Sequence, residues 1–465
     1  MATERSVSGG LEWRVTIPEG SSVGLEPESS PLRKGWLGLV ELANTMRSKV
    51  SGLGNMVWRL GADDPRKVVH GLKVGLALAL VSLFYYTRPL YDGVGGAAMW
   101  AVMTVVVVFE FTVGGCLYKG INRGIATLTA GALAIGVHWI ANKSGETFEP
   151  IIRSASVFML ASAATFSRFI PTIKIKFDYG ITIFILTFSL VAVSGYRVDK
   201  LIELAEQRLS TVAIGIFICF LVAIFAFPVW AGSDLHLLIT RNMDKLADSL
   251  EGSVDDYFSN DQTSEKEEAP SKKSQAYKCV LNAKASEDSL ANLSKWEPPH
   301  GRFSFRHPWS QYQNIGTAMR YCAYCVEALN GCINSEIPTP EFTKKQLSDI
   351  CIQLSSDCSK VLKDSSNSIK SMQRSGSIDF LVEEMNNGVQ ELHDRLTELQ
   401  TDDMSLREVL PLIAAASLLI EIAKRVEGVV DAVDKLATAA SFKNANDEKP
   451  EKTEVVTVEP VKELC

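Results

Sequence analysis

The stretch at residues 100–115, WAVMTVVVVFEFTVGG, is apolar at almost every position and yet carries Glu110. An ionisable side chain at the centre of a bilayer costs on the order of 2.5–3.5 kcal/mol on insertion scales, so such a residue has to face a polar interior or a partner. Working outward, the 465-residue chain has a net charge of −7 and is 46% hydrophobic. These averages hide a sharp partition. Long apolar runs dominate residues 68–230, while 1–67 and 231–465 are rich in charged and small polar residues.

Apolar runs long enough to cross a bilayer as a helix, about 17 to 21 residues, occur at 68–86, 94–113, 124–141, 150–167, 179–194 and 209–229. They predict an all-α fold: a six-span membrane domain followed by a helical bundle. Short connectors such as CLYKGINRG and TIKIKFDYG predict an up-and-down arrangement. No leader pattern precedes the first run. Arg59, Arg66 and Lys67 before it, with the large charged C-terminal half, favour both termini on the cytosolic side. Residues 1–67 read as largely flexible, and 443–465 as a disordered tail.

Beyond residue 230 the apolar residues thin to helical spacing, as in Leu235, Ile239, Met243, Leu246, Leu250 and Val254. Residues 231–442 therefore read as a cytosolic helical domain, interrupted by a solvated linker at 259–274. The nine cysteines follow no disulfide spacing, and the lone CxxC of Cys322 and Cys325 reads as two thiols on one helix face rather than a metal site. No phosphate loop or catalytic constellation stands out. No enzyme activity, cofactor, metal or nucleic-acid partner is expected.

The charges inside the apolar half are mostly basic: Lys73, Lys119, Arg123, His138, Arg153, Arg168, Lys174, Lys176 and Arg208. Within the expected span boundaries Glu110 is the only acid. Basic side chains sharing one water-filled path would favour anions. Arg153 and Arg168 have the alternative of snorkelling to headgroups, and Lys174 and Lys176 that of meeting anionic lipid. Glu110 is expected to pair with Lys119 or Arg123 and so fix that base in place, with a proton-coupling role as the rival.

The segments DDPRKVVHGLKVGLALALVSLFYY, AMWAVMTVVVVFEFTVG, KGINRGIATLTAG, KFDYGITIFILTF, AEQRLSTV and FPVWAGSDLH together resemble the plant aluminium-activated malate transporter family. WEPPHGRFSFRHPW, with Trp296, Glu297 and Pro298, resembles a signature in that family's soluble half. The resemblance implies a passive channel for malate and other small anions, dimeric, in a plant plasma or vacuolar membrane, of which the former is favoured. It implies pore roles for Arg123 and Arg208, with Lys73 at a family lysine. It also marks Asp92, Asp199 and Glu203 as possible outer acidic sensors. Independently of the resemblance, Pro298 and Pro299 forbid a helix interior, so this segment is expected to be a rigid turn that docks soluble helices together or against the membrane half.

Overall fold

The computed structural model describes residues 31–87, 98–145, 147–194, 201–258, 274–333, 341–398 and 406–444. It divides into two compact units, Met1–Val68 and Val69–Cys465. The first contains α1 (Pro31–Asp63), a long helix in the segment expected to be flexible. After it, Asp64 Oδ1 accepts the Arg66 backbone N–H at 3.2 Å, and Pro65 stands at the first helical position of α2 (Pro65–Tyr86), where its missing N–H costs nothing.

Five more apolar helices follow: α3 (Ala98–Val108), α4 (Val113–Lys143), α5 (Glu149–Ser167), α6 (Pro171–Ser194) and α7 (Leu201–Phe225). Among the described residues four helices, α4 to α7, are long and apolar enough to cross a membrane, and Met99–Val108 is a shorter apolar helix. The first expected span coincides with α2. The second does not run as expected, because the helix stops at Val108. Thr112 is extended (φ −101°, ψ 152°) and its Oγ1 accepts the Gly115 N–H at 3.1 Å, capping a new helix. The Glu110 N–H reaches Cys116 Sγ at 3.0 Å and closes the corner. Glu110 therefore lies at a break between two helices rather than within one.

The segments CLYKGINRG and TIKIKFDYG, expected to be connectors, are helical parts of α4 and α6. At 1.5 Å per residue α4 is about 46 Å long, well beyond a hydrocarbon core of about 30 Å. Its basic residues thus ride on a helix that outruns the apolar layer. Helices α2, α3 and α7 share one apolar core around Ala77, Val105 and Val222, and α4 and α6 share another around Ala130 and Phe188. The approach of α7 to α3 is close enough to need Gly215, where a Cβ would stand 2.8 Å from the Thr104 Cβ. The small residues of α5 are exposed or half-buried. Its one buried residue is Arg153.

The C-terminal bundle comprises α8 (Ala231–Phe258), α9 (Lys278–Asn282), α10 (Lys284–Ser294), α11 (Trp309–Ile333), α12 (Glu341–Ser371), α13 (Ile378–Glu398) and α14 (Leu406–Ala439). The strands β1 (Gln373–Arg374) and β2 (Lys443–Asn444) pair in parallel. The six apolar positions of α8 read from periodicity are all fully buried. They join Leu354, Cys358 and Val361 of α12 and Leu419, Ile422 and Val426 of α14 in one core. Cys322 is buried in it, which pushes its thiol up to about 12, and Cys325 is half-buried beside it.

Candidate functional site

Arg123 on α4 and Arg208 on α7 line the same small void, of about 20 Å³, together with Trp100 of α3 and Thr127 of α4. That is room for about one water. Arg123 is only 6% exposed. The Arg208 guanidinium lies over the Trp100 ring, 4.2 Å from its centroid, a cation–π contact that partly replaces lost hydration. Nε of each arginine is buried without a hydrogen-bond partner. Among the described residues no acid forms an ion pair with either one. Two cations thus converge on one spot with their charge uncompensated, which makes the spot attractive to an anion.

The other sequence candidates are placed differently. Lys119 pairs with Glu110 across the corner before α4, so of the two bases considered for Glu110 it is Lys119, not Arg123, that meets it. Lys73 is 5% exposed and its Nζ donates to the Phe227 carbonyl at 2.6 Å, which satisfies a backbone group beyond the end of α7. Arg168 forms a two-point pair with Asp178 of α6, with Nε–Oδ1 at 2.7 Å and Nη2–Oδ2 at 3.2 Å. Sequence reasoning missed Asp178 because it was assigned to a connector. Arg153 does not snorkel. It is bound inward to Glu149 Oε1 at 2.7 Å, to the Ala192 carbonyl at 3.3 Å and to His138 Nδ1 at 2.5 Å. Asp92 and Asp199 lie outside the described residues, as does the side chain of Glu203.

Glu297 is a buried acid held by backbone donors. Its side chain is 1% exposed. Oε1 accepts the Ala231 N–H at 2.6 Å and the Gly114 N–H at 3.2 Å, and Oε2 accepts the Gly232 N–H at 3.0 Å. One carboxylate thus caps both α4 and α8, taking orphan N–H groups where two helix dipoles present their positive ends. Burial pushes its pKa up, and the N–H donors with nearby His300 pull against that. The approach is close: a Cβ at Gly114 would stand 2.4 Å from the Leu293 carbonyl oxygen. Trp296 packs edge-on to Tyr118 of α4, centroids 5.6 Å apart, and His300 stacks on Trp230 at 4.0 Å. Pro298 accepts the His300 Nδ1 hydrogen at 2.9 Å through its carbonyl, tightening the turn.

The family model described as aluminium activated malate transporter matches residues 58–402. The chain belongs to that family. It is 48% identical over 487 residues to aluminum-activated malate transporter 10 of Arabidopsis thaliana, covering 97% of each chain. It is 47% identical to aluminum-activated malate transporter 2 of Arabidopsis thaliana, over 85% of this chain and 79% of that one. With aluminum-activated malate transporter 1 of Triticum aestivum it shares 45% identity, over 86% and 88%. Members of the aluminium-activated malate transporter family are named as transporters rather than enzymes, and the apolar helices make this member a membrane protein.

Within this member of the family, the residues that sequence reasoning missed are those whose role depends on distant contacts. Trp100 reads in the sequence as one more apolar residue of its run, although an aromatic ring is the natural partner for a buried guanidinium lacking an acid. Trp230, Ala231 and Gly232, where α8 opens, carry no side-chain oxygen that could cap it, and that composition was the available signal that an acceptor comes from elsewhere.

Proposed function

We propose that this chain is an anion channel conducting malate, and with it chloride or nitrate, passively across a plant membrane. The observation that carries this reading is the convergence of Arg123 and Arg208 on one void, with no paired acid among the described residues. A dicarboxylate entering that constriction exchanges hydration for guanidinium donors, and binding stays weak enough for release because the charges are few and spread over two helices. The void holds about one water, so passage of malate requires α4 and α7 to part locally or a second subunit to widen the path. The membrane potential supplies direction, about 2.3 kcal/mol per charge per 100 mV.

Six spans, cytosolic termini, a homodimer and a plasma-membrane location complete the reading. The expected spans 68–86 and 94–113 would add α2 and α3 to the four helices that are long and apolar enough to cross. The outward-facing Phe158, Met159 and Phe166 of α5 offer lipid or a second subunit an apolar face. Lys119 and Arg168, each paired to an acid, serve as positioned charges along the approach. The alternative, a proton-coupled organic-anion transporter, would use Glu110 or His138 as its proton site, and the engagement of Glu110 by Lys119 and of His138 by Arg153 speaks against it.

Voltage clamp of the full chain in a heterologous cell tests the proposal. Reversal potentials should follow the malate gradient, and Arg123→Glu or Arg208→Glu should each remove most of the current while protein still reaches the membrane. Reversal potentials indifferent to malate, chloride and nitrate gradients would sink the channel reading. Normal current in both variants would show that the path runs elsewhere.

A further inference from the structure

A second cavity, of about 420 Å³, lies in the C-terminal bundle between α12, α13 and α14, beside the paired strands. Three carboxylates line it, Asp364, Asp379 and Asp434, against a single base, Arg374. That base is already engaged: Nη1 donates to Asp434 Oδ1 at 2.9 Å and Nη2 to Thr438 Oγ1 at 2.7 Å. Asp364 is otherwise. Among the described residues its Oδ1 accepts a single long bond, from Ser377 Oγ at 3.4 Å, and its Oδ2 is buried with no partner. The next residue, Ser365, is 2% exposed and lines the same cavity with its Oγ also unpartnered. A buried carboxylate oxygen and a buried hydroxyl without partners are costly unless something supplies donors and positive charge.

The chemistry of that something follows from the walls. An anion would meet three carboxylates and no free cation. Among the described residues no three His, Cys, Asp or Glu side chains converge closely enough to hold a metal ion. The volume is that of a small-molecule site, and Val430 and Val433 give one side an apolar surface. We propose that this cavity binds a small organic ammonium, its nitrogen donating to the Asp364 carboxylate and the Ser365 hydroxyl as these side chains turn outward to meet it, and its carbon stem lying along α14. The site is separate from the Arg123–Arg208 void and does not depend on the channel reading.

Calorimetric titration of the full chain in detergent with 1,4-diaminobutane tests this, with 1,4-butanediol as the uncharged control. Saturable binding of the diamine, at least tenfold tighter than the diol, is expected. Asp364→Asn should weaken it tenfold or more, and Ser365→Ala about threefold, with both variants retaining the wild-type unfolding midpoint within a few degrees. Asp379→Asn, at the exposed rim, should weaken it less than Asp364→Asn. Absence of saturable diamine binding, equal affinity for the diol, or unchanged affinity in Asp364→Asn would each overturn the proposal. Should Asp364→Asn fail to fold, unchanged affinity in Ser365→Ala decides against it in the same way.

Discussion

The protein buries charge in two places and treats it in opposite ways. At the junction between the apolar and C-terminal helices, the Glu297 carboxylate is met by three backbone N–H groups of two helices. Around the small void between α4 and α7, Arg208 lies over the Trp100 ring, Arg123 lines the same space, and among the described residues neither pairs with an acid. A buried charge with its full set of partners holds a structure together, and removing it leaves those partners stranded. A buried charge without them destabilises the resting protein and is available to a ligand. The contrast predicts that mutations in the two places act with opposite emphasis, on stability at the junction and on conduction at the void.

The largest expected effect lies at Glu297. Glu297→Ala strands the N–H groups of Gly114, Ala231 and Gly232 and should cost about 3–5 kcal/mol, the range for breaking a buried charged network, read as a lowered unfolding midpoint in detergent. Glu297→Gln keeps an acceptor oxygen and should cost about half as much. An unchanged midpoint in both variants would remove the junction's side of the comparison.

The junction also contains neutral histidines. His236 Nδ1 and His307 Nε2 both approach the Tyr312 hydroxyl, at 3.0 and 3.3 Å. Burial lowers each imidazole from 6.5 to about 4. Between those values the unfolded chain binds more protons than the folded one, so stability rises with pH there and is flat above about pH 7.5. Acidification from 7 to 4.5 should therefore cost on the order of 2 kcal/mol per imidazole. The slope should shrink in His307→Gln, and identical slopes would show that other groups carry the acid sensitivity.

At the void the emphasis reverses. Arg123→Gln and Arg208→Gln should each lower anion current about tenfold, equivalent to about 1.4 kcal/mol, while the unfolding midpoint stays level or rises because an uncompensated buried charge is gone. A lowered midpoint with normal current would make these arginines structural, like Glu297, and dissolve the contrast.

What could be read in advance follows the range of the interaction. The α8 core positions were legible because a 3.6-residue period repeats through Leu235, Ile239 and Met243 whatever they pack against. The break after Val108 was hidden because Phe109 and Phe111 keep the run apolar on both sides of Glu110, and the only local mark is the short cap of Thr112 on Gly115. Arg123 and Arg208 stood out as bases in apolar surroundings, but spacing along the chain could not tell that α4 and α7 bring them to one void. The double cap by Glu297 joins residues 183 and 65 positions apart. The sequence announced a rigid turn there through Pro298 and Pro299, but not which helix ends it would satisfy.

The smallest expected effect belongs to the pair that lies between the two extremes. Lys119 and Glu110 meet with side chains 29% and 38% exposed, so water competes for both charges and the pair should contribute less than about 1 kcal/mol. Lys119→Met and Glu110→Gln, singly and together, form a double-mutant cycle whose coupling should fall below that limit, with the unfolding midpoint shifted by no more than a few degrees. Conduction should follow the same order. On the proposed path Lys119 would act at the approach, in higher dielectric than the void, so Lys119→Met should reduce current less than threefold, against about tenfold for the arginines. Glu110→Gln should raise it slightly by unmasking the lysine. If Lys119→Met silences the current as fully as Arg208→Gln, then exposure does not grade the charges as supposed, and the narrowest selective point of the path lies at the corner before α4 instead of between α4 and α7.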